Sequence, residues 1–524
     1  MSSLIKTMAE EYQDYLRDES RSVGTADSIA FPHSMDEIRD IVRELYPVGT
    51  KITVQGARTG LAAAAVPHGG CILNLSKMNR VLGMRHENGA YFLRMQPGVV
   101  LSELRKMVSS KKFDTADWDE TSKQAYIDFC KDGEFFFTPD PTENSACIGG
   151  MLCCNASGAR SYHYGPTRGH ISSVTMILSD GRTIHAERGG ERAKGYDAVF
   201  TCDDGSELRA KVPTYQMPQT KNASGYYAEK NMELIDILIG SDGTLGVVGE
   251  VEVSLLPLPQ IVWGVSLLFE DEPSSLRFVD ALRRKVDGVA AVEFFDSHAL
   301  DVLREQKRSS TAFSALPVIE PFVNTIIYVE LHSNTEEEAL RRLFAVGDVF
   351  TSVGGKEENT WVARNESDIH RLMFFRHAVP ESVNMLIDQR KQKDPAITKL
   401  GADMSVPDAH LFDVVAMYRR CLREENLESA TWGHVGNNHL HVNVLPNNAE
   451  EYYRAKNLFK SWAKEVTAMG GAVSAEHGVG KLKADFLTVM YGEAHIDEMR
   501  TLKRAFDPKW QLGVGNLFTE KEGI

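Results

Sequence analysis

Apolar residues in the first half of the chain come in short runs separated by glycine and polar residues. Residues 51–55, 70–75, 91–95, 171–178 and 245–256 are such runs, and their length and flanking turn formers predict strands. Asp180-Gly181, set between two apolar stretches, predicts a tight hairpin. Segments 34–45 and 101–109 instead space their apolar residues as one face of a helix does. Strands and helices therefore interleave, and the fold class is α+β. Pro257 and Pro259 close this unit, since a central strand cannot run through two prolines. Beyond them, 274–286, 335–350, 449–469 and 494–506 read as amphipathic helices, alternating with strands at 323–331 and 440–445. Residues 112–134 and 186–220 are polar and weakly periodic, and are expected to be surface insertions. The expected organisation is a first domain over 1–258, a second α+β domain over 259–490, and a C-terminal segment, 491–524, that packs back toward the first.

Length and charge narrow the class. At 524 residues the chain exceeds one ordinary core, and its 43% apolar content is enough for two or three. A net charge of −15 argues against nucleic acid and anionic membrane surfaces as partners. The seven cysteines (71, 130, 147, 153, 154, 202 and 421) form no C-x-x-C pair and no iron–sulfur run, so they read as buried thiols in a reducing compartment. The adjacent Cys153 and Cys154 are read as packed small residues without chemistry. No stretch approaches the length of a membrane span, and the first residues carry acid rather than an apolar run. The expected location is cytoplasmic, with peripheral attachment to a membrane left open.

Two kinds of segment carry chemistry. The first is glycine-rich. Gly56, Ala57, Arg58, Thr59, Gly60 and Leu61 follow a strand and run into four alanines, a turn that can present backbone N–H groups to a phosphate. It is not G-x-G-x-x-G, so the Rossmann reading fails. Residues 139–158, with Pro139, Pro141, Gly149, Gly150 and Gly158, and residues 240–248, with Gly240, Gly243 and Gly246, add two more. Three such segments suggest a large flat ligand lying against backbone.

The second is histidine-rich. His434, His439 and His441 fall within eight residues, and Glu476 and His477 follow about thirty-five residues on. His439, His441 and Asn443 should share one face of a strand, with His434 reaching in from the preceding turn. Imidazoles with a carboxylate make a divalent-metal site of the zinc type. A polar histidine patch on a strand fits the same residues, because no short metal-ligand spacing is satisfied.

In order along the chain stand the loop 56–61, Ala65-Val66-Pro67, Gln96-Pro97-Gly98-Val99, Pro139-Asp140-Pro141, Tyr164-Gly165, Lys221-Asn222, residues 240–246, Gly433 to His441, Ser474 to Gly480 and Phe506-Asp507-Pro508. This series resembles the vanillyl-alcohol-oxidase flavoprotein superfamily, with its PCMH-type FAD-binding domain. Within it, the chain resembles, over nearly its whole length, the family of FAD-linked D-lactate dehydrogenases, D-2-hydroxyglutarate dehydrogenases and glycolate oxidases.

The resemblance implies a role for each matching position. Gly56 to Leu61 would hold the FAD pyrophosphate. Pro97, Gly98, Pro139, Asp140, Pro141, Ser145, Ala146, Gly149 and Gly150 would wall the flavin and its ribityl chain, together with Asn155, Ser157, Gly158, Tyr164, Gly243, Val247 and Asn516. His434, His441 and Glu476 match the metal ligands, and zinc is the expected ion. His477 matches the base that takes the substrate hydroxyl proton, and Arg376, read as standing ahead of a helix, the group that grips the substrate carboxylate. The implied reaction is oxidation of a D-2-hydroxy acid, D-lactate-like, to the 2-oxo acid. Electrons would pass to an acceptor other than O₂: a quinone, a cytochrome, an electron-transfer flavoprotein or an iron–sulfur protein. An O₂-using oxidase, a D-2-hydroxyglutarate or glycolate dehydrogenase, and a non-catalytic FAD-binding electron-transfer chain are the alternatives. A homodimer is compatible with all of them.

The chain departs from the family pattern in several places. Ala57 and Arg58 occupy positions that are usually glycine. Asn437-Asn438-His439 stands where Asp-Gly-Asn is usual, which leaves His439 open as a third nitrogen ligand or a neighbour. Where the hydroxyglutarate enzymes carry a lysine two residues before the aspartate, this chain has Gly401 before Asp403, with Lys399 displaced. A threonine four residues beyond the arginine is replaced by Pro380. These last two changes favour a monocarboxylic substrate. No histidine lies in the pyrophosphate loop, where covalent members attach their flavin, so FAD is expected to be held non-covalently.

Overall fold

The computed structural model describes residues 4–521. Its N-terminal part is built on two sheets. A small mixed sheet has the strand order Ile5–Thr7, Ser28–Ala30, Cys71–Asn74, Ile52–Gln55. The helix Met35–Leu45 covers it with Ile38, Ile41, Val42 and Leu45. Ser34 caps that helix by accepting the Glu37 N–H at 3.2 Å, and the Glu37 carboxylate reaches back to accept the His33 N–H just before the cap at 2.7 Å. The second sheet is antiparallel, with Val81–Glu87, Ala90–Met95, Val247–Pro257, Ile171–Ile177 and Thr183–Glu187 in that order, and Phe135–Phe136 paired to the end of Val247–Pro257. The Asp180-Gly181 hairpin joins two of its strands, with Leu178 and Arg182 bonded across the turn.

The later part is one large antiparallel sheet covered on both faces. Its strands run Thr360–Ala363, Ile261–Phe269, Thr325–Ser333, Val289–Phe295, Ser429–His434, His439–Val444 and Leu400–Gly401, with Met404–Ser405 also paired to His439–Val444. Successive residues of one strand feed different cores. Phe294, Ile327 and Val329 join helices Glu272–Lys285, Glu336–Ser352, Leu411–Glu424 and Ala449–Ala468, whereas Phe295, Ile326 and Tyr328 join Ser297–Ser309 and Glu366–Lys393. Burial on both faces is why Val289–Phe295 and Thr325–Ser333 do not alternate apolar with polar residues. The helix Ala484–Phe506, bent at Gly492, returns to the first core through Leu487, Ile496, Met499 and Leu502.

Several expectations change. Residues 186–220 are not a surface insertion: they hold the paired strands Asp197–Thr201 and Glu207–Lys211, whose Phe200 and Leu208 are buried in the first core, and Cys130 is exposed rather than buried. Residues 112–134 are not a surface insertion: they hold the helix Glu120–Lys131, and Trp118 and Phe129 are buried in an aromatic cluster with Phe113 and Tyr126. Edge-to-face aromatic contacts supply the core packing that the polar pattern concealed. Arg376 does not stand ahead of a helix either, but lies inside Glu366–Lys393. Pro380 within that helix lacks the N–H that would bond the Arg376 carbonyl, and a proline there reads in the sequence as a break.

Candidate active site

The glycine-rich segments line one cleft of about 1430 Å³, counting its solvent-open mouth. Its walls include residues 56–61, Pro97, Pro141, Ala146, Gly149, Gly150, Ser157 and Gly243, and Glu476 and His477 line it too. Two glycines are needed for its shape. A Cβ on Gly149 would stand 2.5 Å from the Pro97 Cβ, so the helix Ile148–Cys154 could not approach. Gly243 takes φ +70°, with open space where a Cβ would be.

Other expected positions stand behind this lining. Gly98 is pressed against the carbonyls of Leu75 and Met78, and the Pro139 carbonyl accepts from Arg105 at 2.9 Å. Asp140 accepts the Arg160 N–H at 3.1 Å and abuts Gly158. Ser145 is exposed and bonds Glu143 at 2.6 Å. Asn155 ends the helix Ile148–Cys154 in a left-handed conformation, accepting the Arg168 N–H at 2.9 Å. The Tyr164 hydroxyl lies 2.7 Å from His332 Nδ1, and Val247 is buried in the core of its strand. Asn516 donates to the carbonyls of Ala64 and Asp242 at 3.1 and 2.8 Å. Arg58 is part of the cleft wall, but its guanidinium lies over the Tyr15 ring and bonds the Asp14 carbonyl.

Next to Glu476, the hairpin Ser429–His434/His439–Val444 sets His434 opposite His439 and Trp432 opposite His441. The three imidazole centroids are 4.4 to 5.5 Å apart. Glu476 reaches all three, its oxygens lying 3.2 Å from His434 Nε2, 3.8 Å from His441 Nε2 and 3.9 Å from His439 Nδ1. A donor atom from each of these four residues lies within 4.8 Å of the others.

The charges at this cluster are compensated by groups that sequence reasoning does not assign. Glu293 holds His434 Nδ1 at 2.6 Å and lies 3.2 Å from Arg376 Nε, so one buried carboxylate ties the arginine to the histidine. Lys221 pairs with Glu476 and donates to the Gly158 carbonyl at 3.0 Å. Asp403 accepts from Ser474 Oγ at 2.7 Å, from the backbone N–H groups of Glu476 and His477 at 3.1 and 3.0 Å, and from Lys483 at 2.6 Å. It also lies 2.9 Å from His439 Nε2 and 3.3 Å from His477 Nδ1. Glu293 carried a signal, as the lone charge in an otherwise apolar seven-residue strand.

Titration follows from these contacts. Burial works against ionisation of Glu476 and Asp403, yet His434 and Lys221 hold the first, and His477 and Lys483 the second, well below the usual carboxylate range. Burial opposes charge on His434 too, but Glu293 and Glu476 raise it to about 9. His441 is held well below the imidazole range by burial and by its histidine neighbours. His477 is pushed down to about 4 by burial, with Asp403 opposing. At neutral pH the cluster thus presents neutral imidazoles at His441 and His477 and ionised carboxylates, and a cation that displaces the His434 proton completes a donor set suited to a divalent metal.

Comparison with known proteins decides the family. Residues 26–121 and 127–187 match the FAD binding domain, and 259–517 match the C-terminal domain of FAD linked oxidases. The chain belongs to the FAD-linked oxidases. This FAD-linked oxidase is 24% identical to the D-lactate dehydrogenase of Anaerostipes hadrus, an alignment covering 96% of the chain and 92% of that protein. It is 25% identical to glycolate oxidase subunit GlcD of Bacillus subtilis, over 94% of the chain and 89% of that protein. Against the D-2-hydroxyglutarate dehydrogenase of Stutzerimonas stutzeri it is again 25% identical, over 98% and 96%. Its PCMH-type fold is shared with p-cresol methylhydroxylase in its substrate-bound structure, at a TM-score of 0.67 and 16% identity over 99% of this chain and 94% of that one. Alkyldihydroxyacetonephosphate synthase gives 0.63 at 15% identity, over 98% and 82%. A glycine-floored cleft of this size, with open space above Gly243, fits the flavin cofactor of the FAD-linked oxidases. Among the described residues no helix is long and apolar enough to cross a membrane.

Proposed function

We propose that this FAD-linked oxidase oxidises a small D-2-hydroxy acid of the lactate kind to its 2-oxo acid and passes the electrons to an acceptor other than O₂. The observation that carries this reading is that the flavin cleft is lined by Glu476 and His477, the residues that also close the histidine cluster. When bound, FAD supplies the hydride acceptor and a divalent metal held by His434, His441 and Glu476 supplies the charge that acidifies the hydroxyl. The rest belongs to the chain. Arg376 presents a planar fork suited to the substrate carboxylate, and Glu293 fixes it from behind. His477, neutral above a pH of about 4, takes the hydroxyl proton. Asp403, bonded to the His477 backbone and 3.3 Å from its Nδ1, sets the orientation of that ring.

FAD is held by contact alone. His477 is the histidine among the lining residues, and burial pushes the Cys153 thiol up to about 12, leaving little thiolate to attack flavin. The flavin should therefore leave with the supernatant on acid precipitation. A yellow flavin absorbance that stays with the precipitated polypeptide contradicts this.

The substrate follows from what accompanies Arg376. Gly401 replaces the lysine of the hydroxyglutarate enzymes and backs onto Asn443, Pro380 replaces the threonine, and Lys399 does not line the cleft, its charge disfavoured by burial and by Arg21. A second carboxylate would be desolvated without a partner, at a cost of roughly several kcal/mol. D-Lactate should therefore reduce the flavin with a higher kcat/KM than D-2-hydroxyglutarate, and L-lactate should be poor. Stopped-flow reduction under anaerobic conditions with D-lactate, L-lactate, glycolate and D-2-hydroxyglutarate tests this. A clear preference for the dicarboxylate removes the lactate assignment, and failure of every 2-hydroxy acid removes the dehydrogenase reading.

A further inference from the structure

His439 lies between the two histidines of the proposed metal set, with its side chain fully buried. Its two ring nitrogens face different groups. Nε2 stands 2.9 Å from Asp403 Oδ1, which places the ring proton on that side. Nδ1 faces Glu476, 3.9 Å away, and neither ring nitrogen completes a hydrogen bond of good geometry. A buried acceptor without a donor is costly. Here it looks onto two imidazoles and a carboxylate whose donor atoms all fall within 4.8 Å of its own, an arrangement that a cation satisfies and a hydrogen bond does not.

We infer that His439 is a third imidazole ligand, through Nδ1, of the metal that His434, His441 and Glu476 hold, and that Asp403 is the carboxylate that orients it. The inference rests on the proposed metal site. Its chemical consequence is selectivity: three nitrogens and one carboxylate oxygen suit zinc better than magnesium, calcium or manganese, which favour oxygen-rich sets. It also gives Asp403 two tasks, since the same carboxylate aligns a metal ligand and the His477 base.

Zinc K-edge X-ray absorption on the flavin-loaded protein, with zinc affinity measured by chelator competition, tests this. Wild type should show scattering from three imidazoles. His439→Asn should lose one imidazole and weaken zinc binding by about 10²-fold or more, whereas Asp403→Asn, which removes only an orienting partner, should fall in the range of about 10 to 10²-fold. Flavin absorbance per polypeptide reports whether each variant is folded, and His439→Gln serves as a second replacement. Two imidazoles in wild type, or unchanged zinc affinity in both His439 variants while His441→Ala loses zinc, overturns the inference and leaves the proposed function standing. A wild-type protein that binds no divalent metal overturns both the inference and the metal site beneath it.

Discussion

Replacing His477 with asparagine should slow flavin reduction by the 2-hydroxy acid about 10²- to 10⁴-fold, the usual contribution of a general base, without loss of bound flavin. Asparagine keeps a polar group of similar reach but accepts no proton. The wild-type ring is held near a pKa of about 4 by burial, with Asp403 opposing, so it is neutral and competent at neutral pH. Reduction by wild type should therefore be flat above about pH 5 and decline as pH falls through about 4. The asparagine variant should lack that acidic limb. The same shift bears on stability. A folded pKa below the ordinary imidazole value of about 6.5 means that protonation disfavours the native state, so the penalty is absent above about 6.5 and grows as pH falls from there to about 4. A variant that reduces its flavin within tenfold of wild type would place the base elsewhere, with Asp403 and Glu476 the nearest alternatives.

Arg376→Met should be the most damaging single change for the fold of the site. It takes from Glu293, buried and 3% exposed at its side chain, its largest compensating charge, leaving His434 and the more distant Lys221. Breaking a buried pair by removing one partner costs about 3–5 kcal/mol. Coupling Arg376→Met to Glu293→Gln removes the stranded charge and should restore most of the unfolding free energy, measured by denaturant titration. Activity should not return with it. The double variant still lacks the fork proposed to bind the substrate carboxylate, and kcat/KM should stay about 10²- to 10³-fold down, the scale of a lost charge-assisted pair. Recovery of activity in the double variant would show that Arg376 is there for Glu293 and not for substrate.

The features that were legible in the sequence are local ones. The glycine loop 56–61, the hairpin at Asp180-Gly181 and the strand that aligns His439, His441 and Asn443 all depend on neighbours a few residues apart, so spacing reveals them. The groups that balance charge do not. Glu293 meets His434 across 141 residues of chain and Asp403 meets His477 across 74, and such pairings are set by sheet order rather than by local pattern. Even so, Glu293 and Glu330 each stand as the one carboxylate in a wholly buried strand, a mark of a paired, functional charge that composition alone can raise. The helix around Arg376 was hidden for a different reason. Pro380 interrupts the pattern, and the surrounding core contacts, Phe375, Ala378, Val379 and Val383 among them, hold the helix together across the missing bond.

The segment 474–483 is stitched in both directions. On one side, Asp403 takes the backbone N–H groups of Glu476 and His477, and on the other, Asp242 beside the flavin cleft takes those of Val479 and Gly480 at 3.2 and 2.8 Å. Lys481 continues the stitching to the carbonyls of Ala63 and Ala64, and the Gly480 carbonyl accepts from Leu517. A hinge between the two sheet systems would have to tear one of these seams. The distance between the proposed base, His477, and the cleft floor is thus set by covalent chain anchored at both ends, not by a docking equilibrium between two moving bodies.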